Sequence, residues 1–367
     1  MSAKNNDKPV LILGAYGRGN VGDDVFTVTA ATMLKNRKVY VNSADDSLLP
    51  EEVKDRLETI STTTSSDYKR KIKLFFSIKT VIYWGGDLWV ELYGAPMPRQ
   101  LLYKMLLVNC LLKLFGKKIY YVGCGIGPLT GYSLRLAKMS AGLSDGLILR
   151  EARSAQLIGA KSTVMPDLAV NIPYLVDTPH PAPKDEFTIV ISTLWSIPSP
   201  DKNFQNMIKG IANAVNQLPY EQVRIVLLPM HVNDDEKDHD DLWACKELRK
   251  MLNGNASIFT QRELSKVVTL LREADLVIGG RLHANIIGLL NSTPCIGLSY
   301  RPKVSSFFAE NDLSEYCLDL SEVNRLYQKI TYIHDNYVEA AEAFYNASTS
   351  IKKYRTQYQK LVTEMVE

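Results

Sequence analysis

The 367-residue sequence contains few cysteines and no cysteine pair of the CxxC type. Such a sequence offers neither a disulfide framework nor a redox-active dithiol. No spacing of His, Cys and Asp matches a zinc site, so we predict no metal site. Most of the cysteines lie within apolar runs, which is typical of buried free thiols in a reducing compartment. The five cysteines are Cys110, Cys124, Cys245, Cys295 and Cys317.

Long hydrophobic runs are also missing. The longest, Leu101–Phe115, is interrupted by Lys104, Asn109 and Lys113, whereas a transmembrane helix needs about 20 predominantly apolar residues. The stretch Met1–Lys8 is polar and has no apolar core of a secretory leader. These features predict a cytoplasmic protein.

Neither sign of charge dominates the chain, because 43 Lys and Arg residues face 40 Asp and Glu residues, a net charge of +3. Any basic surface must therefore be local. Basic and aromatic residues do not interleave as they do on nucleic-acid-binding surfaces, so we predict no nucleic-acid partner. Two stretches, Lys69–Phe76 and Leu101–Lys118, are nonetheless basic and amphipathic. They fit either the solvated faces of core helices or a patch that rests on the anionic inner face of a membrane.

Short apolar strand signals alternate with helical patterns along most of the chain, which predicts parallel sheets covered on both faces. The alternation stops at Pro173–Glu186, where four prolines indicate a linker. We therefore predict an α/β protein with two doubly wound Rossmann-like domains that face a cleft, followed by a C-terminal helical segment. The predicted limits are 1–175 for the N-terminal domain, 176–186 for the linker, 187–320 for the C-terminal domain and 321–367 for the helical segment.

The loop after the first strand contains a GxGxxG pattern that includes Gly19 and Gly22. A dinucleotide is an unsuitable ligand, because Asp23 and Asp24 would repel a pyrophosphate at the start of the following helix. The loop can instead hold a polyhydroxy ligand, with backbone close by at the glycines and Asn20, Asp23 or Asp24 accepting hydroxyl protons. The alternative is that Asp23 caps the helix and the glycines only form a turn.

Further glycines and two charged residues follow other strands of the N-terminal domain. Since parallel strands end at one edge of a sheet, we expect these residues to lie near the same ligand. A glycine turn alone explains each pair of glycines equally well. Arg150 either captures a carboxylate or phosphate or pairs with an acid such as Asp167. The set comprises Gly85, Gly86, Gly125, Gly127, Arg150 and Asp167.

The most informative segment is Gly279–Asn285, where a strand ends and a helix begins. Arg281 and His283 are displayed there beside the first amides of a helix, an arrangement that favours an anion. His283 can also exchange a proton near neutral pH. Lys303 follows the next strand and adds positive charge at the adjacent strand end.

Taken in order, these elements resemble the polysaccharide pyruvyl transferase family. The matching motifs span about 300 residues: Gly19–Asp24, Gly85-Gly86, Gly125–Pro128, Arg150 with Ser154, Pro166-Asp167, Leu228-Pro229, Arg281-Leu282-His283-Ala284, and Tyr300 with Lys303. The resemblance implies a fold like that of the GT-B glycosyltransferases. It also implies transfer of a pyruvyl group from phosphoenolpyruvate to two hydroxyls of one sugar in a cell-surface polysaccharide or its precursor, giving a cyclic ketal and phosphate.

The resemblance further implies that Arg150, Arg281 with Leu282, His283 and Lys303 surround phosphoenolpyruvate, and that the C-terminal domain is the donor-binding one. The glycine loops of the N-terminal domain then face the acceptor, a sugar or a lipid-linked saccharide. These loops contribute Gly19, Asn20, Gly22, Gly85, Gly86, Gly125 and Gly127.

The chemistry of ketal formation adds specific roles. We predict His283 as general acid, with Asp23, Asp24 or Asp167 as base, and no cofactor beyond the donor substrate. Two other functions remain open: a GT-B glycosyltransferase with Arg281 on the diphosphate of a nucleotide sugar, and a non-catalytic sugar-binding protein of the same fold.

Overall fold

The computed structural model of the protein describes residues 8–61, 68–91, 99–159, 161–179, 181, 186–193, 202–219, 222–232, 240–254 and 256–367. They form two compact units. Unit 1 contains the described residues up to Arg18 together with Asp23–Pro173 and Lys353–Glu367, and unit 2 contains those of Gly19–Gly22 and Tyr174–Lys352.

Unit 1 is built around a seven-stranded parallel sheet. Its strands are β1 (Val10–Tyr16), β2 (Val39–Ser43), β3 (Leu57–Ser61), β4 (Thr80–Trp84), β5 (Lys118–Cys124), β6 (Gly146–Leu149) and β7 (Thr163–Val164). They lie in the order β3-β2-β1-β4-β5-β6-β7. The chain reverses its direction of growth between β1 and β4, and the carboxyl ends of strands at such a switch point form a ligand-binding crevice.

Unit 2 contains a six-stranded parallel sheet of the same kind. Its strands are β8 (Phe187–Ser192), β9 (Val223–Leu227), β10 (Ala256–Ile258), β11 (Leu276–Gly279), β12 (Cys295–Ser299) and β13 (Cys317–Asp319). Their order is β10-β9-β8-β11-β12-β13, so the switch point lies between β8 and β11. The segment containing Arg281 and His283 follows β11 directly.

Fourteen α-helices connect and cover the strands in the described part of the chain. They are α1 (Val21–Met33), α2 (Glu51–Lys54), α3 (Tyr68–Ser77), α4 (Arg99–Leu114), α5 (Gly131–Gly142), α6 (Ala152–Ile158), α7 (Lys202–Val215), α8 (Asp241–Met251), α9 (Leu264–Glu273), α10 (Leu282–Leu290), α11 (Pro302–Glu310), α12 (Leu326–Asp335), α13 (Tyr337–Lys352) and α14 (Tyr354–Val366). The predicted α/β class, with two doubly wound sheets and a C-terminal helical segment, is confirmed.

The central strands form where the sequence is continuously apolar. All five residues of β4 are buried, as are all residues of β11 and β12, because both faces of each sheet are covered. Strand β3 was not predicted. It lies at the edge of its sheet and carries Glu58 and Thr59, so it has no apolar run to mark it.

The C-terminal helical segment is divided between the two units. In unit 2, Ser348 on α13 donates a hydrogen bond to the Leu290 carbonyl on α10 (3.1 Å). In unit 1, the buried Tyr358 on α14 donates from its hydroxyl to the Pro166 carbonyl (2.7 Å). The sequence shows these helices as one continuing helical pattern, because the contacts that separate them are remote along the chain.

Candidate functional site

In unit 1, the glycine turns after β4 and β5 lie against each other. The amide of Gly125 donates to the carbonyl of Gly86 (2.9 Å). Gly85 has a φ of +70°, and a Cβ atom there would lie 2.3 Å from the ring of Phe26, so only glycine fits. Gly127, further along the second turn, has a φ of +93°. The structure thus brings together the four glycines that the sequence singled out at this sheet edge.

Arg150 lies buried after β6 between two carboxylates. Its Nη1 donates to Asp167 Oδ2 (3.3 Å) and its Nη2 to Asp87 Oδ1. A Cβ atom on Gly125 would lie 2.8 Å from Arg150 Nε. Burial lowers the pKa of Arg150, but the carboxylates of Asp87 and Asp167 outweigh it and raise the pKa above its ordinary value. An anionic ligand here would meet two negative charges beside one positive charge, so the geometry favours the ion-pairing alternative.

Helix α1 begins with an asparagine cap followed by an acidic pair. Asn20 Oδ1 accepts a hydrogen bond from the amide of Gly22 (3.0 Å), which makes Asn20 the capping residue. Asp23 and Asp24 lie in the first turn, where the helix dipole stabilises carboxylates. The N-cap position that one interpretation of the sequence assigns to Asp23 is therefore occupied by Asn20.

The segment Gly19–Gly22 belongs to unit 2, although the sequence assigned it to the N-terminal domain. The amide of Val21 donates to the Met230 carbonyl (2.8 Å), and the amide of Val232 donates to the Gly19 carbonyl (3.0 Å). Gly19 has a φ of +71°, and a Cβ atom there would lie 2.1 Å from the Val232 carbonyl oxygen. These backbone hydrogen bonds link residues about 210 positions apart and have no local sequence signal.

Gly22 lies directly against His283. A Cβ atom on Gly22 would lie 2.5 Å from His283 Nδ1 and 3.2 Å from Asn20 Oδ1. Any larger residue at position 22 would displace the imidazole or the loop. Three residues that the sequence assigned to two different domains, Asn20, Gly22 and His283, are therefore neighbours within unit 2.

Arg281 is held by a carboxylate that the sequence did not single out. Its Nε donates to Asp241 Oδ2 (2.9 Å) and its Nη2 to Asp241 Oδ1 (2.7 Å). Asp241 is fully buried at the start of α8, and its Oδ2 also accepts from the backbone amide of His231 (3.0 Å). This bidentate geometry fixes the plane of the guanidinium. Asp241 is buried although it ends an acidic stretch of the sequence that begins at Asp234.

Two helices begin side by side at the carboxyl edge of the unit 2 sheet. Helix α10 follows β11 with Arg281 at its N-cap position, and α11 follows β12 with Arg301 at the same position. Neither N-cap side chain hydrogen-bonds the first turn within the described residues. Leu282 and Lys303 lie in the first turns of these helices. Amide groups at adjacent helix starts, with basic residues beside them, form a suitable setting for an anion.

Buried polar side chains support the same edge. Asn285 donates from Nδ2 to the Gly279 carbonyl (2.9 Å) and so holds the turn that carries Arg281. Ser192, at the end of β8, accepts at its backbone carbonyl from the Gly280 amide (2.7 Å). Its Oγ is buried and has no hydrogen-bond partner among the described residues. Neither residue carries a sequence signal that would have distinguished it from a core polar residue.

In the described ranges, no group of three or more His, Cys, Asp or Glu side chains is arranged to hold a metal ion. No helix in that same part of the chain is long and apolar enough to cross a bilayer.

Comparison with known proteins gives a family match and a fold match. A family model described as polysaccharide pyruvyl transferase matches residues 20–302. Alr3699/HepE from Anabaena, in complex with UDP and glucose, has a TM-score of 0.63 at 12% identity, covering 98% of this chain and 99% of that one. UDP-GlcNAc 2-epimerase from Neisseria meningitidis, bound to UDP-GlcNAc, has a TM-score of 0.57 at 12% identity, covering 98% and 99%. S. aureus MnaA with UDP has a TM-score of 0.58 at 12% identity, covering 97% and 98%.

At these identities the structural matches establish the fold alone. It is the fold of the GT-B enzymes, with two Rossmann-like units, as predicted from the sequence.

Proposed function

The chain belongs to the polysaccharide pyruvyl transferase family, and on this premise we propose that it transfers a pyruvyl group from phosphoenolpyruvate to two hydroxyls of one sugar. The products are a cyclic ketal and inorganic phosphate. The acceptor belongs to a cell-surface polysaccharide or its precursor, either free or lipid-linked. The observation that carries this proposal is the Arg281 guanidinium, which buried Asp241 holds in a bidentate geometry at the start of α10.

The donor is a small polyanion with a carboxylate and a phosphate, so its site needs directed donors and positive potential. Asp241 offsets part of the charge of Arg281 but sets the orientation of its planar fork. The amino termini of α10 and α11 supply further donors and partial positive charge. Lys303, in the first turn of α11, adds a cation to the same edge.

The proposed reaction begins with a proton delivered to the methylene carbon of the donor. Positive charge then develops at the neighbouring carbon, and one sugar hydroxyl attacks it and loses its proton. The C–O bond to phosphate then breaks, and its electrons leave with the phosphate. The second hydroxyl bonds to the same carbon and closes the ketal ring, and its proton passes to the departing phosphate. We assign the first proton to His283, because histidine exchanges protons near neutral pH and this imidazole lies against the Gly22 loop. The reaction in this form requires no resident cofactor or metal.

The three candidate bases differ in their distance along the chain from Gly22, which lies against His283. Both carboxylate oxygens of Asp167, far from Gly22 in the chain, accept hydrogen bonds, Oδ1 from the Ala169 amide (3.0 Å) and Oδ2 from Arg150. Asp23 directly follows Gly22 in the chain, and Asp24 follows Asp23. We therefore propose that Asp23 or Asp24 accepts the hydroxyl proton, and that Asp167 with Asp87 orients the Arg150 side chain.

The test is phosphate release from phosphoenolpyruvate in the presence of a sugar acceptor. We expect release only when both substrates are present, with an acceptor mass increase equal to pyruvate minus water. We expect His283→Ala and His283→Gln to reduce the rate about 100-fold or more, since general acid–base groups contribute about 10²–10⁴-fold.

The matched control for these variants is His334→Ala, because His334 is an exposed histidine on α12. It should keep the full rate. Retention of the full rate by a folded His283→Ala protein would remove His283 from the mechanism. Tight acceptor binding without phosphate release from any donor would favour a non-catalytic sugar-binding protein.

A nucleotide-sugar glycosyltransferase is the second candidate, because structures of similar fold are described as complexes with UDP or UDP-sugars. In that case Arg281 would bind the diphosphate. The melting temperature measured with each ligand separates the two functions. A ligand that binds the folded state raises the melting temperature, and at one concentration a tighter ligand raises it more. Phosphoenolpyruvate should raise the melting temperature if our proposal holds, and uridine nucleotides should raise it if the second candidate does.

A further inference from the structure

Unit 1 exposes many apolar side chains on three of its helices. Of the 16 large hydrophobic side chains that are exposed in the described chain, ten lie between Ile72 and Met139. Leu114 and Phe76 are 79% and 65% exposed. We call the solvent-facing sides of α3, α4 with Phe115, and α5 the α3–α5 surface. Single exposed hydrophobic residues are ordinary, but a concentration of this kind marks an interaction site.

Helix α4 shows the feature most clearly, because it has two apolar sides. Leu102 and Leu112 are buried in the core of unit 1. Leu107, Leu111 and Leu114 follow one another at helical spacing and are exposed. A helix with apolar residues on two opposite sides normally has both of them covered. The inner side of α4 is covered by the core of unit 1, so we expect a partner outside the chain to cover the outer side.

The exposed groups form one surface. The ring of Phe115, after α4, contacts the rings of Phe75 and Phe76 on α3 with centroid distances of 5.1 and 6.0 Å. Tyr103 on α4 contacts Tyr132 on α5 with a centroid distance of 5.8 Å. Residues from all three helices enter the same buried cluster on one side of the sheet, so their opposite sides face solvent together.

The three helices of this surface carry charge of one sign. Helices α3, α4 and α5 contain nine Lys and Arg residues and no Asp or Glu. Two of the nine pair with carboxylates outside these helices, Arg70 with Glu58 (3.8 Å) and Lys113 with Asp145 (2.9 Å). The rest of the chain has 34 basic and 40 acidic residues, a net charge of −6, against +3 for the whole. Lys73, Lys104 and Lys138 are exposed, one on each helix. The positive charge of the protein is therefore concentrated where its apolar side chains are exposed.

We propose that the α3–α5 surface docks on an anionic lipid bilayer, with its apolar side chains in the headgroup region and its cations on lipid phosphates. An interfacial surface needs both an apolar face and a basic rim. A twofold contact between two copies fits poorly, because it would place the nine cations of one copy against those of the other. The proposal does not depend on the donor or on catalysis, so it can fail while the proposed function holds.

Cys110 allows the contact to be observed directly, because it is exposed on α4 beside Leu111. Cys124 and Cys245 are buried, and burial raises the pKa of each thiol to about 12. In a Cys317→Ser background, a thiol-reactive environment-sensitive fluorophore should label Cys110. We expect its emission to shift to the blue with vesicles of phosphatidylcholine and phosphatidylglycerol, and not with phosphatidylcholine alone.

Vesicle sedimentation with matched variants tests the two parts of the surface. Replacing Leu107 and Leu114 by Gln should weaken binding at least about tenfold, since each buried CH₂ contributes to membrane affinity. The control replaces Val338, a 73% exposed residue on α13, by Gln. Replacing Lys73, Lys104 and Lys138 by Glu should weaken binding about 100-fold or more, at about 1 kcal/mol for each cation. Its control replaces Lys246, Lys266 and Lys360, which are exposed elsewhere.

Loss of binding in both test variants but in neither control, with binding that falls as salt increases, supports the proposal. Equal binding to neutral and anionic vesicles, or equal loss in controls and test variants, overturns it. Oligomers that dissociate when Leu107 and Leu114 are replaced, without any vesicle binding, overturn it in favour of a second copy. Full binding to vesicles by a protein that releases no phosphate contradicts only the proposed function.

Discussion

At the scale of single residues, carboxylates fix the orientation of two arginine side chains. Asp241 accepts two hydrogen bonds from Arg281, and Asp87 and Asp167 form ion pairs with Arg150. Asp241 lies 40 positions before Arg281, so only the fold brings the two residues together.

The Arg281–Asp241 pair provides a test at this scale. Asp241→Asn keeps the size of the side chain but removes its charge, and it leaves one of the hydrogen bonds from Arg281 without an acceptor. We expect the free energy of unfolding, measured in urea, to fall by about 1–3 kcal/mol. The KM for phosphoenolpyruvate should rise more than kcat falls, because Arg281 would lose its fixed orientation.

The neighbouring Asp240 provides the control. Asp240 accepts a hydrogen bond from the Leu242 amide as the N-cap of α8, and Asn caps helices equally well. Asp240→Asn should therefore leave both stability and KM nearly unchanged. Equal effects of the two substitutions would mean that general charge near α8, rather than orientation of Arg281, explains the result.

Gly22 is a second residue whose role depends on one contact. Alanine is favourable inside a helix, but at position 22 its Cβ atom would lie 2.5 Å from His283 Nδ1. We expect Gly22→Ala to lower kcat about 100-fold, since a displacement of about 1 Å at a catalytic group can have that effect. The melting temperature should change little. Circular dichroism and kinetics of the purified variant measure both.

Gly142 provides the comparison for this substitution, because a Cβ atom there, at the end of α5, meets nothing within 4 Å. Gly142→Ala should keep full activity. If Gly22→Ala retained full activity as well, the contact with His283 would have no role in the reaction.

At the scale of elements, the sequence predicts what is continuous and apolar. Strands such as β4 and β11 were recognisable because burial on both faces requires uninterrupted apolar residues. The edge strand β3 was not, since its outward residues are polar. The Gly19–Gly22 segment is predicted to be a ligand loop from its local pattern, but its hydrogen bonds to Met230 and Val232 connect residues far apart in the chain. Local sequence patterns therefore predict that such a segment exists, but they do not predict the unit to which it belongs.

At the scale of the whole molecule, the chain leaves unit 1 at Pro173 and returns to it at Lys353. No periodicity in the sequence marks that return, because α13 and α14 have similar helical patterns. Its physical basis is specific packing and hydrogen bonding by α14, including Arg355 Nε to the Val170 carbonyl (2.6 Å). The folded state of unit 1 therefore requires the last residues of the chain as well as the first half.

Tyr358 provides the test of this return. It is fully buried on α14 and donates to the Pro166 carbonyl, and removing a large buried aromatic side chain costs about 3–5 kcal/mol. Tyr358→Ala should therefore lower the free energy of unfolding of unit 1, measured in urea, by about 3–5 kcal/mol. Fluorescence of the buried Trp84 and Trp89 follows this unit when Trp195 and Trp243 are replaced by Phe. The control is Tyr354→Ala, because Tyr354 lies one turn earlier on α14 and is 37% exposed. Its effect on the free energy of unfolding should be much smaller. Equal effects of the two substitutions would contradict a role of α14 in the core of unit 1.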